Sequence, residues 1–232
     1  MSIKINYLGL DILVDERTAK YGGSFNYNLT VYEVDKVELI RDHLKTIKNP
    51  VLIDVGASTG SFALLPLVVN GLMVYSFEPS KAFDVLLNNI QINNISNRVK
   101  AINQAVSDIE GIGLFYEVQS QNDSCLALSM LGGKPSSHKK TKEYSVKVTT
   151  IDKYCQNIKV DVLKIDVEGG ELNVLKGALK TIERDKPLIM FEFSDENANQ
   201  YGYNHQSCID LLDSIGYDSK RTGGDVVSIY KP

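Results

Sequence analysis

A carboxylate and two glycines follow an apolar run at residues 51–60, VLIDVGASTG. Asp54 lies near the end of a predicted buried strand, and Gly56 and Gly60 can adopt backbone angles that other residues avoid. The helix that follows would offer unpaired N–H groups to a carboxylate. A second acid, Glu78, ends the next predicted strand and is followed by Pro79. Because an acid in that place can accept hydrogen bonds from ribose hydroxyls, these residues predict a nucleoside-binding site.

The spacing of the glycines separates two kinds of nucleoside. A dinucleotide fingerprint, G-x-G-x-x-G, beginning at Gly56 would need glycines at positions 58 and 61, where this chain has Ser58 and Ser61. The spacing present is G-x-x-x-G after an acid, which favours a nucleoside with an amino-acid tail. A glycine-rich turn without a ligand is the alternative, and Glu78 favours the binding site over it.

A second group of polar residues follows two later strands. Asp166 comes directly after an apolar run, Glu168 lies two residues on, and Glu192 lies near the end of the next predicted strand. His205 lies in the polar stretch YGYNHQS. A carboxylate or imidazole there could remove a proton from an acceptor. The alternatives are helix capping for Glu168 and Glu171, an acid that ends a strand for Glu192, and a solvated loop for His205.

The predicted elements alternate between strands and helices. Strands are predicted at 51–55, 73–77, 99–102, 112–118, 144–148, 160–165, 187–193 and 226–230, and helices at 35–47, 61–69, 81–92, 171–182 and 208–215. The strands are near-continuous apolar runs, as expected where helices cover both faces of a parallel sheet. We predict one doubly wound α/β domain over 51–232, preceded by an appendage over 1–50 that contains a hairpin and a helix. The hairpin is predicted over residues 3–14.

Composition argues against several classes of protein. The 232 residues are 43% hydrophobic, enough for one domain with a full core. A net charge of −4 argues against nucleic-acid binding, and no apolar run is long enough to cross a membrane. The three cysteines are far apart and form no CxxC pair, and the N-terminal residues do not resemble a signal peptide. We expect a cytoplasmic protein without nucleic-acid or membrane partners.

Four segments together resemble one known family: DVGASTG at 54–60, FEPS at 77–80, NQAVSD at 103–108 and KIDVEGGE at 164–171. They resemble the FkbM family of S-adenosyl-L-methionine-dependent methyltransferases, and KIDVEGGE is the most family-specific. The resemblance implies a Rossmann-like, seven-stranded class I methyltransferase sheet with one antiparallel strand near the C-terminus. Ser58 is a departure, because the family more often has Asn there.

The resemblance also implies roles for particular residues. The implied cofactor-binding residues are Glu33, Asp54, Gly56, Ala57, Gly60, Glu78, Pro79, Asn103, Ala105, Asp166 and Glu168. The loop from Asp54 to Gly60 would hold the methionine part of S-adenosyl-L-methionine, and Glu78 the ribose. Asn103 and Ala105 would border the adenine, and Asp166 would face the methyl group. The candidate bases are Asp166, Glu192 and His205.

The expected reaction is O-methylation of a polar small molecule such as a glycan or natural product. A sulfonium methyl is already activated, so positioning supplies much of the catalysis. The alternatives are N-methylation of a peptide side-chain amide and a non-catalytic interaction domain that keeps the cofactor pocket. No metal is predicted, because Asp166 and Glu192 lack a clear third ligand for Mg²⁺. Residues that contact the acceptor are expected in 20–30, 119–142 and 194–206.

Overall fold

The computed structural model describes residues 1–18, 34–119, 126–132 and 141–231. Its strands are β1 (Ser2–Tyr7), β2 (Leu10–Asp15), β3 (Val51–Val55), β4 (Met73–Phe77), β5 (Val99–Ile102), β6 (Ala105–Val106), β7 (Gly111–Gln119), β8 (Leu126–Leu131), β9 (Thr141–Thr149), β10 (Val162–Ile165), β11 (Leu188–Glu192), β12 (Tyr217–Thr222) and β13 (Asp225–Tyr230). Its helices are α1 (Val34–Leu44), α2 (Ala82–Ile92), α3 (Ile151–Tyr154), α4 (Glu171–Lys176), α5 (Leu179–Asp185), α6 (Asp195–Ala198) and α7 (Gln206–Ser214). Single 3₁₀ turns lie at Leu65–Leu67 and Asn199–Tyr201.

A seven-stranded sheet forms the centre of the fold, in the order β12-β13-β11-β10-β3-β4-β5. Strand β3 pairs in parallel with β4 and β10, whereas β13 is antiparallel to both β11 and β12. The chain runs outward from β3 to β5 on one side and from β10 onward on the other, so the strand order reverses between β3 and β10. Ligands of doubly wound sheets bind at such a reversal. The predicted seven-stranded sheet with one antiparallel strand is confirmed.

Two smaller sheets accompany the central one. The predicted hairpin is confirmed as β1 and β2, whose buried side chains pack in one apolar cluster with Leu52 of β3. A four-stranded sheet has the order β6-β9-β7-β8. Its strand β8 falls within residues 119–142, where the sequence shows no hydrophobic period. Pairing with β7, and not a local sequence pattern, defines this strand. The division of the chain at residue 50 stays a prediction.

Two predicted helices differ from the structure. The helix expected over 61–69 is wrong: the segment forms turns around Leu65–Leu67, because Pro66 has no N–H to donate to the preceding turn. The helix expected over 171–182 is divided into α4 and α5 at Gly177. A Cβ at Gly177 would lie 2.1 Å from the Ser107 carbonyl oxygen, so this backbone is packed too closely for a side chain.

Strand β12 was not predicted either. Its sequence, YDSKRT, is polar, and it forms the outer edge of the central sheet, where solvent reaches most of its side chains. Across the described ranges, no helix is both long enough and apolar enough to cross a bilayer.

Candidate active site

The glycine loop after β3 is held tightly between two neighbouring strand ends. The N–H groups of Gly56 and Ala57 both donate to the Phe77 carbonyl, each at 3.0 Å. Gly56 has a φ of +79°, and a Cβ there would lie 1.7 Å from the carbonyl oxygen of Asp166. Gly60 has a φ of +103°. Both glycines therefore occupy backbone conformations that the sequence pattern predicted.

Glu78 closes the loop from the end of β4. Its carboxylate accepts hydrogen bonds from the Ser58 N–H and the Ser80 N–H, both at 2.8 Å. Burial raises the pKa of Glu78, and these N–H groups oppose that rise. Each oxygen has one such donor, so each retains capacity for a further hydrogen bond. Glu78 and the following Pro79 thus lie beside the glycine loop, and the ribose contact stays a prediction.

The exit of β5 joins the same edge of the sheet. The side-chain amide of Asn103 donates to the Glu78 carbonyl at 2.9 Å. Ala105 and Val106 are buried in β6, two residues further on. The structure therefore brings Asn103 directly to the end of β4, and the adenine contact of these residues stays a prediction.

Lys164 is the central residue that the sequence analysis missed. Its buried ammonium donates to the Gly56 carbonyl at 3.0 Å and forms ion pairs with Asp54 at 3.3 Å and Asp166 at 3.6 Å. Burial lowers the pKa of Lys164, but the charges of Asp54, Asp166 and Glu78 outweigh it, and the net pKa is raised. The signal in the sequence was a single lysine inside an otherwise apolar strand.

Several buried polar atoms at this edge have no hydrogen-bond partner in the described part of the chain. They are both carboxylate oxygens of Asp54, the Thr59 hydroxyl and the Ser76 hydroxyl. The Lys164 ammonium, at 3.3 Å, and the Ser76 hydroxyl are polar neighbours of Asp54, but neither is aligned as a hydrogen bond to it. Burial raises the pKa of Asp54, and both of these neighbours oppose that rise. Because buried polar groups are normally satisfied, these atoms fit a polar ligand such as the amino-acid tail of a nucleoside.

Three predicted acids meet where β10 and β11 end. The pairing of Ile165 with Phe191 sets Asp166 and Glu192 at the same level, one residue beyond. Asp166 is 39% exposed. Glu168, with a φ of +60°, accepts a hydrogen bond from the Asn197 amide at 2.8 Å.

The environments of these acids differ. Burial is the main reason that the pKa of Glu168 is raised to about 8, and the charges of Asp166 and Glu171 add to it. Burial is also the main reason that the pKa of Glu192 is raised to about 9, and the charges of Asp166 and Glu168 add to it. Burial and the neighbouring acids therefore favour the protonated forms of Glu168 and Glu192 at a pH where an unperturbed glutamate is ionised.

His205 lies in the core, so the alternative of a solvated loop histidine is wrong. The side chain is fully buried, with Nε2 3.0 Å from the Glu171 carboxylate and Nδ1 accepting from the Ser194 N–H at 3.2 Å. The segment 194–204 folds back over the β10 exit, an arrangement that no local pattern indicates. A role for His205 as a base stays a prediction.

The remaining predicted site residues fall partly outside the described residues. Glu33, loop 20–30, and residues 120–125 and 133–140 of loop 119–142 lie outside them. In the ranges that are described, no group of three or more His, Cys, Asp or Glu side chains is arranged to hold a metal ion.

Glu192→Gln is expected to stabilise the protein increasingly as the pH rises. Because the pKa of Glu192 is raised to about 9, the folded state holds a proton that the unfolded state releases from about pH 4 upward. Wild-type stability therefore falls between these two values, and glutamine removes that part of the dependence. Urea unfolding of both proteins at several pH values measures the difference. A difference that stays constant with pH would contradict the assignment.

Comparison with known proteins shows similarity to methyltransferases. The model of the methyltransferase FkbM domain matches residues 54–219. Methyltransferase sdnD from Sordaria araneosa is 28% identical, over 64% of this chain and 72% of that protein. The crystal structure of methyltransferase FkbM from Methylobacillus flagellatus KT is 19% identical with a TM-score of 0.53, over 79% of this chain and 44% of that one.

A further structural relative shares only the fold. Precorrin 8w decarboxylase from Methanobacterium thermoautotrophicum is 13% identical with a TM-score of 0.51, over 91% of this chain and 93% of that one. At such identities the likeness concerns the sheet and its helices. This chain also spans less than half the length of the Methylobacillus structure.

Proposed function

Because this chain belongs to the methyltransferase FkbM family, we propose that it transfers a methyl group from S-adenosyl-L-methionine to an oxygen atom of a polar small molecule. A glycan or a hydroxylated natural product is the proposed acceptor. The observation that carries the proposal is that the buried Lys164 ammonium pairs with both the buried Asp54 and the partly exposed Asp166, which joins the glycine loop to the acids at the next strand end. A cytoplasmic location is also proposed, supported by the buried free thiols of Cys155 and Cys208.

The glycine loop and Glu78 would hold the cofactor. Asp54, whose carboxylate oxygens accept no aligned hydrogen bond in the described part of the chain, suits the amino-acid tail, and Glu78 suits the ribose hydroxyls. Asn103 and Ala105 would border the base at the β5 exit. When bound, the cofactor supplies a methyl group activated by its positive sulfur. The protein then needs to orient the acceptor oxygen and accept its proton.

Asp166 is proposed as the base. It is exposed to solvent at the mouth of the site and lies 3.6 Å from the Lys164 ammonium. The raised pKa values of Glu168 and Glu192, about 8 and about 9, favour their protonated forms, which would donate hydrogen bonds to the acceptor. His205 is less suited to the base role because both of its ring nitrogens are engaged inside the protein.

Glu78→Ala is expected to weaken binding of S-adenosylhomocysteine by about 10- to 100-fold. The change removes a charged hydrogen-bond acceptor worth roughly 1.5–3 kcal/mol and releases the N–H groups of Ser58 and Ser80. Isothermal titration calorimetry with S-adenosylmethionine, S-adenosylhomocysteine and NAD measures it. Glu110→Ala, which removes a partly exposed acid paired with Lys153, is the control and should bind normally. Binding of NAD but of neither sulfur compound would refute the cofactor assignment.

Asp166→Asn is expected to lower turnover by about 10²-fold while affinity for S-adenosylhomocysteine changes less than about threefold. The reason is that asparagine cannot accept the acceptor's proton. Acceptors are found by screening polar compounds for a mass gain of one methyl group. Glu192→Gln, assayed in parallel, should lower turnover less than Asp166→Asn does. Turnover unaltered by Asp166→Asn would remove this residue as the base.

A further inference from the structure

We infer that Glu171 and His205 are positioning residues. Together they hold the segment after β10, which carries Asp166 and Glu168, at a fixed distance from the end of β11, which carries Glu192. These two segments are called the β10 and β11 exits. The inference rests on the proposed function only in assigning a use to those acids. The contacts themselves are independent of it. Both side chains are fully buried, and neither reaches the mouth of the site.

Glu171 holds the β10 exit. One oxygen of its carboxylate accepts hydrogen bonds from the N–H groups of Val167 and Gly169, both at 3.1 Å. Between them, Glu168 has a φ of +60°, a left-handed conformation that non-glycine residues rarely adopt. Such a backbone persists only where its surroundings determine it, and here the Glu171 carboxylate is a major part of those surroundings.

His205 carries the connection to the β11 exit. Its Nδ1 accepts from the Ser194 N–H at 3.2 Å, so Nδ1 has no proton and the proton lies on Nε2. That Nε2–H donates to the second oxygen of Glu171 at 3.0 Å. Ser194 is two residues from Glu192, and the Phe193 ring between them packs against the imidazole at 5.1 Å.

The result is one continuous buried path from the Val167 and Gly169 N–H groups through Glu171 and His205 to the Ser194 N–H. The same returning segment adds two further contacts, from Asn197 to Glu168 and from the Tyr203 hydroxyl to the Gly169 carbonyl. The Glu171–His205 contact differs from these because both partners are fully desolvated. Removing one partner from such a pair leaves the other buried and unsatisfied, so the loop after β10 would lose its fixed position relative to the segment after β11.

The separation of the exits can be measured through the acids they carry. The groups that face Glu192 and raise its pKa are Asp166, Glu168, Glu171 and Asp225. In the wild-type protein, Glu168→Gln removes one of these charges and should lower the Glu192 titration midpoint by on the order of one pH unit. Carbon-13 NMR of the glutamate carboxyls measures this midpoint. The signal that is absent from the spectrum of Glu192→Gln identifies the Glu192 carboxyl.

In a His205→Asn background, the effect of Glu168→Gln on Glu192 should fall below about a third of its wild-type size. Glu171→Gln serves as the second variant. Whichever way the glutamine side chain turns, its NH₂ group faces either the His205 Nε2–H or the N–H groups of Val167 and Gly169, so one of these hydrogen-bond contacts is lost. Cys208→Ala is the matched control: it removes a buried thiol from the apolar cluster that also contains Leu172 and Phe191, leaves both partners of the Glu171–His205 contact in place, and should keep the full effect.

Two results would overturn the inference. One is an undiminished effect of Glu168→Gln in folded His205→Asn or Glu171→Gln protein. The other is a ring proton on Nδ1 of His205, which nitrogen-15 labelling of the three histidines would reveal. Calorimetry with S-adenosylhomocysteine on the wild type keeps the questions apart, because failure to bind counts against the proposed function and leaves the coupling result standing.

Discussion

Lys164→Met is expected to lower the free energy of unfolding by about 3–5 kcal/mol, because it removes one partner of a buried ion pair. The ammonium lies 3.3 Å from the fully buried Asp54 carboxylate and donates to the Gly56 carbonyl at 3.0 Å. Methionine fills a similar volume but satisfies neither group. Equilibrium unfolding in urea, followed by circular dichroism, measures the loss.

Two companion variants test the cause of this loss. Adding Asp54→Asn to Lys164→Met removes the uncompensated charge and should recover a substantial part of the stability. Lys159→Met, at a lysine that is 71% exposed and paired with Asp161, should cost less than about 1 kcal/mol. Equal stability of the Lys159 and Lys164 variants would contradict the role of the buried pair.

The Lys164→Met variant should also show a characteristic pH dependence. Burial raises the pKa of Asp54, and the variant lacks the ammonium that opposes the rise. Its folded state therefore holds a proton that the unfolded state releases near pH 4, so its stability falls as the pH rises above that value. The deficit relative to the wild type should shrink on acidification.

Gly56→Ala is expected to abolish measurable binding of S-adenosylhomocysteine, a loss of at least about 100-fold, and to destabilise the fold by roughly 3 kcal/mol or more. A Cβ at this position would lie 1.7 Å from the Asp166 carbonyl oxygen, a backbone atom that cannot move without displacing β10. The φ of +79° adds conformational strain. Calorimetry and urea unfolding measure the two effects.

Gly9→Ala is the matched control for the strain alone. Gly9 has a φ of +88° in the β1–β2 turn, and no described atom lies within 4 Å of a Cβ built there. Gly9→Ala should lower the free energy of unfolding by about 1 kcal/mol and leave binding of S-adenosylhomocysteine unchanged. If Gly56→Ala behaved like Gly9→Ala, the close approach of the loop to Asp166 would not matter for the site.

These two predictions concern one property of the site. The Gly56 backbone packs directly on Asp166, and the Lys164 ammonium joins Asp54, in the proposed cofactor loop, to Asp166, the proposed base. The proposed cofactor loop and base therefore belong to one packed unit. We expect a substitution in the loop to affect Asp166, and a substitution at Asp166 to affect the loop.

The amino-acid sequence by itself determined the framework of this protein. The bounds predicted for β3, β4 and β5 agree with the structure, and Gly56 and Gly60 have the positive φ values that their pattern indicated. Both features are local: a short apolar run bounded by turn residues favours a buried strand, and a left-handed backbone favours glycine. The acids at the ends of β4, β10 and β11 follow from the same strand predictions.

Only the tertiary structure decided how the buried charges are paired. Lys164 meets the Gly56 carbonyl from 108 positions away, and His205 meets Glu171 from 34. The strand β8 and the division between α4 and α5 likewise depend on partners distant in the chain. Desolvation and the pairing of charges depend on which groups the fold brings together, and neither residue type nor spacing along the chain carries that information.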